Sequence, residues 1–164
     1  MSGVQFRIEP AAERDVPLIL KFIRGLAHYE RLEHEVVATE ESLRSTLFGP
    51  RPVAEVILGY AGAEPAGFAL FFHNYSTFLG RPGLYIEDLF VLPEWRSKGL
   101  GRRLLVYIAK LAVERRCGRV EWAVLDWNEP AVRFYRRLGA RAMEEWTVYR
   151  LTGDTLSQLA TEAG

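Results

Sequence analysis

Residues 84–103 read LYIEDLFVLPEWRSKGLGRR. Residues 84–92 form a largely apolar run that ends before Pro93, which is typical of a buried strand. From Leu100 onward apolar residues recur at helical spacing, so a short loop joins this strand to a helix. A strand, a loop and a helix in this order indicate a domain of mixed α and β structure.

The loop between that strand and that helix has the features of an anion-binding site. Gly99 and Gly101 let the backbone approach a ligand, and a helix start carries about half a positive charge. The basic side chains in or beside the loop are Arg96, Lys98, Arg102 and Arg103. The pattern predicts a cradle for an anion, most simply a phosphate. The alternative is a glycine-containing turn with a solvated, basic helix start.

Two common phosphate motifs do not fit this loop. The third glycine of the dinucleotide fingerprint is missing, because Arg102, Arg103 and Leu104 follow Gly101. The chain also lacks a G-x-x-x-x-G-K-S/T stretch, which argues against a P-loop nucleotidase.

The rest of the chain alternates strands and helices without a repeat or a linker, and it predicts a single α/β or α+β domain over residues 1–164. Further strands are predicted at residues 6–8, 53–60, 67–73, 120–125 and 146–151. Helices are predicted at residues 12–31, 39–49, 100–117 and 129–138. Thr39 is expected to cap the second helix, and Gly118 is expected to follow the end of the third.

Composition excludes several classes of protein. The 21 basic and 21 acidic residues balance, which argues against a nucleic-acid partner. The uncharged residues 65–80 are too few and too polar to span a membrane, so no membrane partner is expected. Cys117 is the single cysteine, and the three histidines have no metal-ligand spacing. We therefore expect a cytoplasmic protein that binds no metal.

Glu87 and Asp88 interrupt the apolar strand. A strand buried on both faces does not carry two carboxylates without a partner or a function. Strict alternation sends the two side chains to opposite faces, unless a β-bulge redirects one of them. The pair is a candidate for proton transfer or cation binding, and the alternative is one surface acid and one ion-paired acid.

The loop sequence RSKGLG at residues 96–101 resembles the acetyl-CoA pyrophosphate motif, R/Q-x-x-G-x-G/A, of the GNAT N-acetyltransferases. Other blocks resemble one branch of that family, the diamine (spermidine/spermine) N-acetyltransferases and their thialysine-acetylating relatives. These blocks are LAHYE at 26–30, YIEDLFV at 85–91, WNEP at 127–130 and FYRRLGA at 134–140. The resemblance covers about residues 6–150.

The resemblance implies a strongly twisted mixed sheet, flanked by helices and splayed open between strands 84–92 and 120–125. The co-substrate acetyl-CoA would lie in that opening. Its pyrophosphate would accept amide hydrogens from the loop and the helix start, and its pantetheine arm would pair with the strand. The residues implied to contact it are Leu89, Phe90, Val91, Arg96, Ser97, Lys98, Gly99, Leu100, Gly101, Arg102, Asn128, Glu129, Pro130, Ala131 and Tyr135.

The resemblance also implies catalytic roles and a homodimer. Glu87 would remove a proton from the amine through a water, and Tyr135 would protonate the departing thiolate. The acceptor would be bound by Tyr29, Glu30, Glu87 and Asp88. The alternative for Tyr135 is a packed tyrosine that shares its helix face with Phe134 and Leu138.

The chemistry of such a transfer sets a requirement. An alkylamine has a pKa near 10.4, so about one molecule in a thousand is neutral at pH 7 and the site must remove a proton. The sequence predicts an N-acetyltransferase that moves the acetyl group of acetyl-CoA to a primary amine of a small cationic, polyamine- or diamine-like acceptor by direct attack in a ternary complex. One alternative is a thialysine or amino-acid side-chain acetyltransferase. Another, from a different class, is a non-catalytic acyl-CoA-binding sensor.

Overall fold

The computed structural model describes residues 3–162, and the chain divides into two compact units, Met1–Leu125 and Asp126–Gly164. The strands, all in the first unit, are β1 (Phe6–Pro10), β2 (Glu55–Ala61), β3 (Glu64–Ser76), β4 (Arg81–Val91) and β5 (Val120–Trp122). The helices of the first unit are α1 (Val16–Glu30), α2 (Glu40–Phe48) and α3 (Leu100–Glu114). Those of the second unit are α4 (Glu129–Arg137) and α5 (Gly153–Ala160).

The strands form one mixed sheet in the order β1-β2-β3-β4-β5. Neighbours from β1 to β4 pair antiparallel, and β5 pairs parallel with β4. A parallel pair needs a long crossover, which α3 supplies between β4 and β5. The predicted mixed α+β fold class is confirmed.

Helices cover both faces of this sheet. On one face, apolar residues of α1 and α2 pack against the sheet in a buried core formed by Val16, Ile19, Leu20, Phe22, Leu43, Leu47, Val56, Leu58, Phe68 and Phe90. On the other face, Leu100 of α3 is buried against Gly59 and Gly67, which are paired across β2 and β3. A Cβ on Gly59 would lie only 2.7 Å from Leu100 Cδ1. The missing side chains therefore make the space that seats the first turn of α3 on the sheet.

The local signals located most element ends well. Thr39 caps α2 as predicted, since its Oγ1 accepts a hydrogen bond from the Ser42 N–H (3.1 Å). The prediction that Gly118 directly follows the end of α3 is wrong, because α3 ends at Glu114. Instead Arg116 adopts the left-handed conformation (φ 57°), and the Cys117 N–H donates to the Ala112 carbonyl (2.8 Å), as in a Schellman motif.

Two strand predictions need correction. Residues 146–151 form no strand, although their aromatic and β-branched content is typical of one. Within residues 3–162 no strand pairs with them, and a strand needs a hydrogen-bonded neighbour to persist. β5 ends at Trp122 rather than at residue 125, opposite Ile86 of β4.

An ion pair ties the far end of α3 to the sheet. Arg115 donates from Nη1 and Nη2 to the two carboxylate oxygens of Glu55 on β2, at 2.6 and 2.7 Å. The hydrogen bond from Arg115 is the main cause that lowers the pKa of Glu55. Both side chains are partly exposed, so the pair contributes modestly to stability.

We expect Glu55→Gln to lower the free energy of unfolding by about 0.5–1 kcal/mol at pH 7. Because the native pKa of Glu55 is lowered, this stabilisation exists above the ordinary pKa of a glutamate and is lost as pH falls through the native value. Urea unfolding at pH 7 and pH 3 measures it, with Glu41→Gln on the exposed face of α2 as control. A stability difference of equal size at both pH values would contradict the assignment.

Candidate active site

A β-bulge lies in β4 at the acidic pair. Leu70 of β3 faces Asp88, whereas Phe71 faces Ile86, so Glu87 is the extra residue between them. Glu87 is exposed and Asp88 is half-buried. The two acids therefore do not simply alternate across the strand, because β4 contains a β-bulge at this point.

Three carboxyl groups from α1 and β4 lie within electrostatic reach of one another. Burial, and then the charge of Glu87, raise the pKa of Glu30 at the end of α1. Burial is also the main cause that raises the pKa of Asp88 to about 7, followed by the charges of Glu87 and Glu30. We call Glu30, Glu87 and Asp88 the carboxyl cluster. Such a cluster favours either bound protons or a cationic ligand.

Arg96 joins this cluster to the basic loop. Its Cζ lies 4.6 Å from the centroid of the Tyr29 ring, which is adjacent to Glu30 in α1. Its Nε donates a hydrogen bond to the Val91 carbonyl (2.9 Å) at the end of β4. The family resemblance implied a contact between Arg96 and the co-substrate, but nothing in the sequence indicated the contact between Arg96 and Tyr29.

β4 extends beyond its parallel partner. Pairing with β5 runs from Leu84 to Ile86, and β4 continues to Val91. The Leu92 N–H donates to the Ala66 carbonyl on the β3 side (2.8 Å), so alternation turns the peptide groups of Leu89 and Val91 to the other edge. Because Arg96 occupies the Val91 carbonyl, the Leu89 N–H and C=O and the Val91 N–H remain for a strand-like ligand in the first unit. The predicted opening of the sheet between these strands agrees with this geometry.

The basic loop turns sharply before α3. Ser97 (φ 61°) and Gly99 (φ 95°) are both left-handed, a conformation that favours glycine at the second position. The Arg103 N–H donates to the Gly99 carbonyl (3.1 Å), closing the first turn of the helix. The amides of residues 100–102 precede that bond and have no acceptor within the helix, so they are available to an anion.

Some side chains of the basic loop and the first turn of α3 have structural contacts, and others are exposed to solvent. Leu100 is 1 % exposed, so only its backbone can reach a ligand. Arg103 donates from Nη1 to the Phe6 carbonyl of β1 (3.0 Å) and so has a structural contact. Lys98 and Arg102 are exposed. A Cβ on Gly101 would meet nothing nearer than Val91 Cγ2 at 4.0 Å, so packing does not require this glycine.

The second unit holds the remaining predicted residues. Residues 128–131 form the start of α4, where the Asn128 carbonyl accepts a hydrogen bond from the Val132 N–H (3.0 Å). α4 ends at Arg137, and Gly139, two residues later, has a φ of 90°. The half-buried Tyr135 lies on this helix beside Phe134, with 5.5 Å between ring centroids.

Sequence reasoning missed several glycines that shape the site. A Cβ on Gly25 of α1 would lie 3.0 Å from Phe90 Cε1, so this glycine lets α1 approach β4 beside the carboxyl cluster. Gly59 and Gly67 do the same for α3 on the other face. An isolated glycine inside a helical or strand pattern is the signal that could have found them.

The acetyltransferase (GNAT) family matches residues 23–140. The chain belongs to this family. It is an N-acetyltransferase, and GNAT enzymes use acetyl-CoA as co-substrate.

Two relatives match nearly the whole chain of this GNAT enzyme. The L-ornithine N5-acetyltransferase NATA1 of Arabidopsis thaliana is 38 % identical, covering 93 % of this chain and 87 % of its own. The thialysine N-epsilon-acetyltransferase of Mus musculus is 38 % identical, covering 94 % and 96 %. Among solved structures, a V. cholerae integron cassette protein superposes with a TM-score of 0.80 at 26 % identity, covering 98 % of this chain and all of its own.

Residues 3–162 lack two kinds of feature. No helix there has the length and apolar character needed to cross a membrane. No group of three or more His, Cys, Asp or Glu there is arranged to hold a metal ion.

Proposed function

We propose that this GNAT enzyme transfers the acetyl group of acetyl-CoA to a primary amine of a small cationic, polyamine- or diamine-like acceptor. The carboxyl cluster carries the proposal, because Glu30, Glu87 and Asp88 gather negative charge beside the open edge of β4. A cationic amine bound there would offset the mutual repulsion of these carboxyl groups.

The donor side of the first unit fits acetyl-CoA, which supplies the activated acetyl group. The space beside Gly101 and the amides of residues 100–102 suit a diphosphate. The Leu89 and Val91 peptide groups suit the amides of a pantetheine arm. Lys98, Arg102 and Ser97 complete the proposed cradle, and residues 128–131 of α4 are proposed as further contacts.

The proposed reaction is a direct attack in a ternary complex. Glu87 accepts a proton from the ammonium group through a water, and the amine nitrogen then bonds to the thioester carbonyl carbon. The carbon–sulfur bond breaks, and Tyr135 donates a proton to the departing thiolate. The nitrogen loses its second proton to solvent as the amide forms, and Tyr135 regains a proton from solvent. The Leu89 or Val91 N–H would stabilise the developing oxyanion. Tyr29 and Glu30 bind the acceptor, with Asp88.

A thialysine or amino-acid side-chain acceptor is the second candidate, because the two relatives named above act on ornithine and thialysine. The two candidates differ in one group, since an amino acid carries a carboxylate that a polyamine lacks. That carboxylate needs a cationic contact outside the carboxyl cluster.

Thiol release from acetyl-CoA across an amine panel tests the proposal. The panel holds putrescine, spermidine, spermine, thialysine, L-ornithine, lysine and an aminoglycoside, with a blank that lacks amine. Release above the blank with a cationic amine supports it, and the preferred amine decides between the candidates. Tight acetyl-CoA binding without release from any panel member would argue against the proposed acceptor class.

Gly101→Val should weaken acetyl-CoA binding by about tenfold or more, since the added side chain would fill the cradle and block at least one amide–phosphate hydrogen bond. Packing around Gly101 is open, so the melting temperature should stay near that of the parent. Calorimetric titration with acetyl-CoA measures this. Gly3→Val is the matched control, because Gly3 also has open surroundings but precedes β1. Unchanged acetyl-CoA affinity in Gly101→Val would remove the cradle assignment.

Three wider proposals remain from the sequence. We propose one functional domain over residues 1–164, which the family match across residues 23–140 supports. We propose a cytoplasmic location, on the ground of the single cysteine.

We also propose a homodimer, supported by the exposed rings of Tyr75 and Phe78 near the turn between β3 and β4. Sedimentation of Phe78→Ser against the parent tests the dimer.

A further inference from the structure

Arg96 lies where three parts of the site meet. It belongs to the basic loop, it donates to the last carbonyl of β4, and its guanidinium covers the Tyr29 ring of α1. The Phe90 ring lies on it as well, with its centroid 5.6 Å from Cζ. Across residues 3–162 the described ion pairs do not involve Arg96. Its charge is therefore satisfied by ring faces and a carbonyl rather than by a carboxylate.

The contact with Tyr29 acts on the last turn of α1. Glu30 follows Tyr29 there, and its charge interacts with Asp88. The preceding turn of α1 packs closely against the Phe90 ring, because Gly25 has no side chain there. The stack on Tyr29 therefore fixes the end of α1, and with it the distance of Glu30 from the rest of the carboxyl cluster.

We propose, on the basis of the proposed function, that Arg96 is a positioning residue for the amine acceptor. It holds the Tyr29 ring so that Glu30 remains beside Glu87 and Asp88. A guanidinium can stack through its face and form hydrogen bonds at its edge at the same time. The two terminal nitrogens of Arg96 therefore stay available to the co-substrate while its face supports the acceptor side.

The test compares variants that keep or remove each half of the stack. Arg96→Lys keeps the charge and loses the planar face, and Tyr29→Leu removes the ring. Each should raise the Kd of the acceptor by about three- to thirtyfold, the range of a cation–π contact. The acceptor Kd of the double variant should be no higher than that of the single variant with the higher Kd, because both changes remove the same contact. Tyr29→Phe keeps the ring and should retain more of the acceptor affinity than Tyr29→Leu.

The acceptor is whichever of thialysine, L-ornithine and putrescine gives the highest kcat/KM with the parent protein. Its Kd is measured by calorimetry with CoA at saturation, so that a change in co-substrate affinity does not enter. Arg102→Lys is the matched control, since Arg102 belongs to the same basic region and is exposed. It should alter the KM of acetyl-CoA and leave the acceptor Kd unchanged.

Two outcomes would overturn the inference. One is that Arg96→Lys behaves like Arg102→Lys and leaves the acceptor Kd at the parent value. The other is that the effects of Arg96→Lys and Tyr29→Leu on the acceptor Kd multiply in the double variant. If Arg96→Lys does not fold, the comparison of Tyr29→Leu with Tyr29→Phe still decides whether the ring matters. Failure of the proposed function is distinct, because the parent itself would then release no thiol with any amine.

Discussion

Tyr135→Phe should lower kcat about a hundredfold while leaving the affinity for acetyl-CoA near that of the parent. General acid catalysis raises rates by about 10²–10⁴-fold. The lower end of that range applies here, because the thiol has a pKa near 8.5 and its thiolate leaves without strong assistance. The variant loses one hydroxyl and keeps the ring that lies beside Phe134 on α4. Packing of α4 should therefore be preserved.

The measurement is kcat at saturating acetyl-CoA and amine, with the acetyl-CoA Kd from calorimetry. Tyr149→Phe is the matched control, because Tyr149 lies in the same unit and is almost fully exposed. Turnover of Tyr135→Phe at the parent level would mean that another group protonates the thiolate. A loss of acetyl-CoA affinity equal to the loss of kcat would instead make Tyr135 a binding residue.

The sequence predicted the segment from β4 to α3 well because its signals are local. An apolar run, Pro93, left-handed Gly99 and the helical spacing from Leu100 each act within a few residues. The same holds for the Thr39 cap of α2. Local steric and hydrogen-bonding preferences were sufficient for these features.

Features that depend on distant partners were harder to predict. The carboxyl cluster brings Glu30 of α1 to Asp88 of β4, and only the fold, or the family resemblance, could pair them. Residues 146–151 show the opposite failure, since a strand-like composition does not form a strand unless a neighbour pairs with it. Arg96 was assigned by its place in the loop, whereas its contact with Tyr29 depends on how α1 packs.

Asp88→Asn should make the protein more stable above pH 7 and less active. The pKa of Asp88 is raised from 3.8 to about 7, so between these values the folded state binds a proton that the unfolded state has released. The free energy of unfolding therefore falls as pH rises from 3.8 to about 7, and the whole of this loss remains above pH 7. Asparagine does not ionise and avoids that cost. The full shift corresponds to about 4 kcal/mol, which solvent exposure of the half-buried group reduces to about 1–2 kcal/mol.

Urea unfolding of parent and Asp88→Asn at pH 4 and pH 8 measures the stability difference. It should be near zero at pH 4 and favour the variant at pH 8. A lower stability of the variant at pH 8 would mean that the carboxylate is stabilised by a partner rather than strained. Asp126→Asn is the matched control, since Asp126 lies exposed in the turn before α4.

Kinetics of the same variant, set beside Glu87→Gln, decide which carboxyl accepts the proton. The variant of the proton acceptor should lower kcat at saturating amine by about 10²-fold or more, and the variant of a binding residue should mainly raise the amine KM. The proposed roles predict the first result for Glu87→Gln and the second for Asp88→Asn. Two results together would make Asp88 the proton acceptor. One is a large fall in kcat for Asp88→Asn with mainly a raised amine KM for Glu87→Gln. The other is that the kcat of the parent rises with pH near 7 and that of Asp88→Asn does not. That exchange of roles has a physical basis, because a carboxyl with a pKa near the working pH is matched to proton transfer, and the bulge at Glu87 places both acids at the same point of β4.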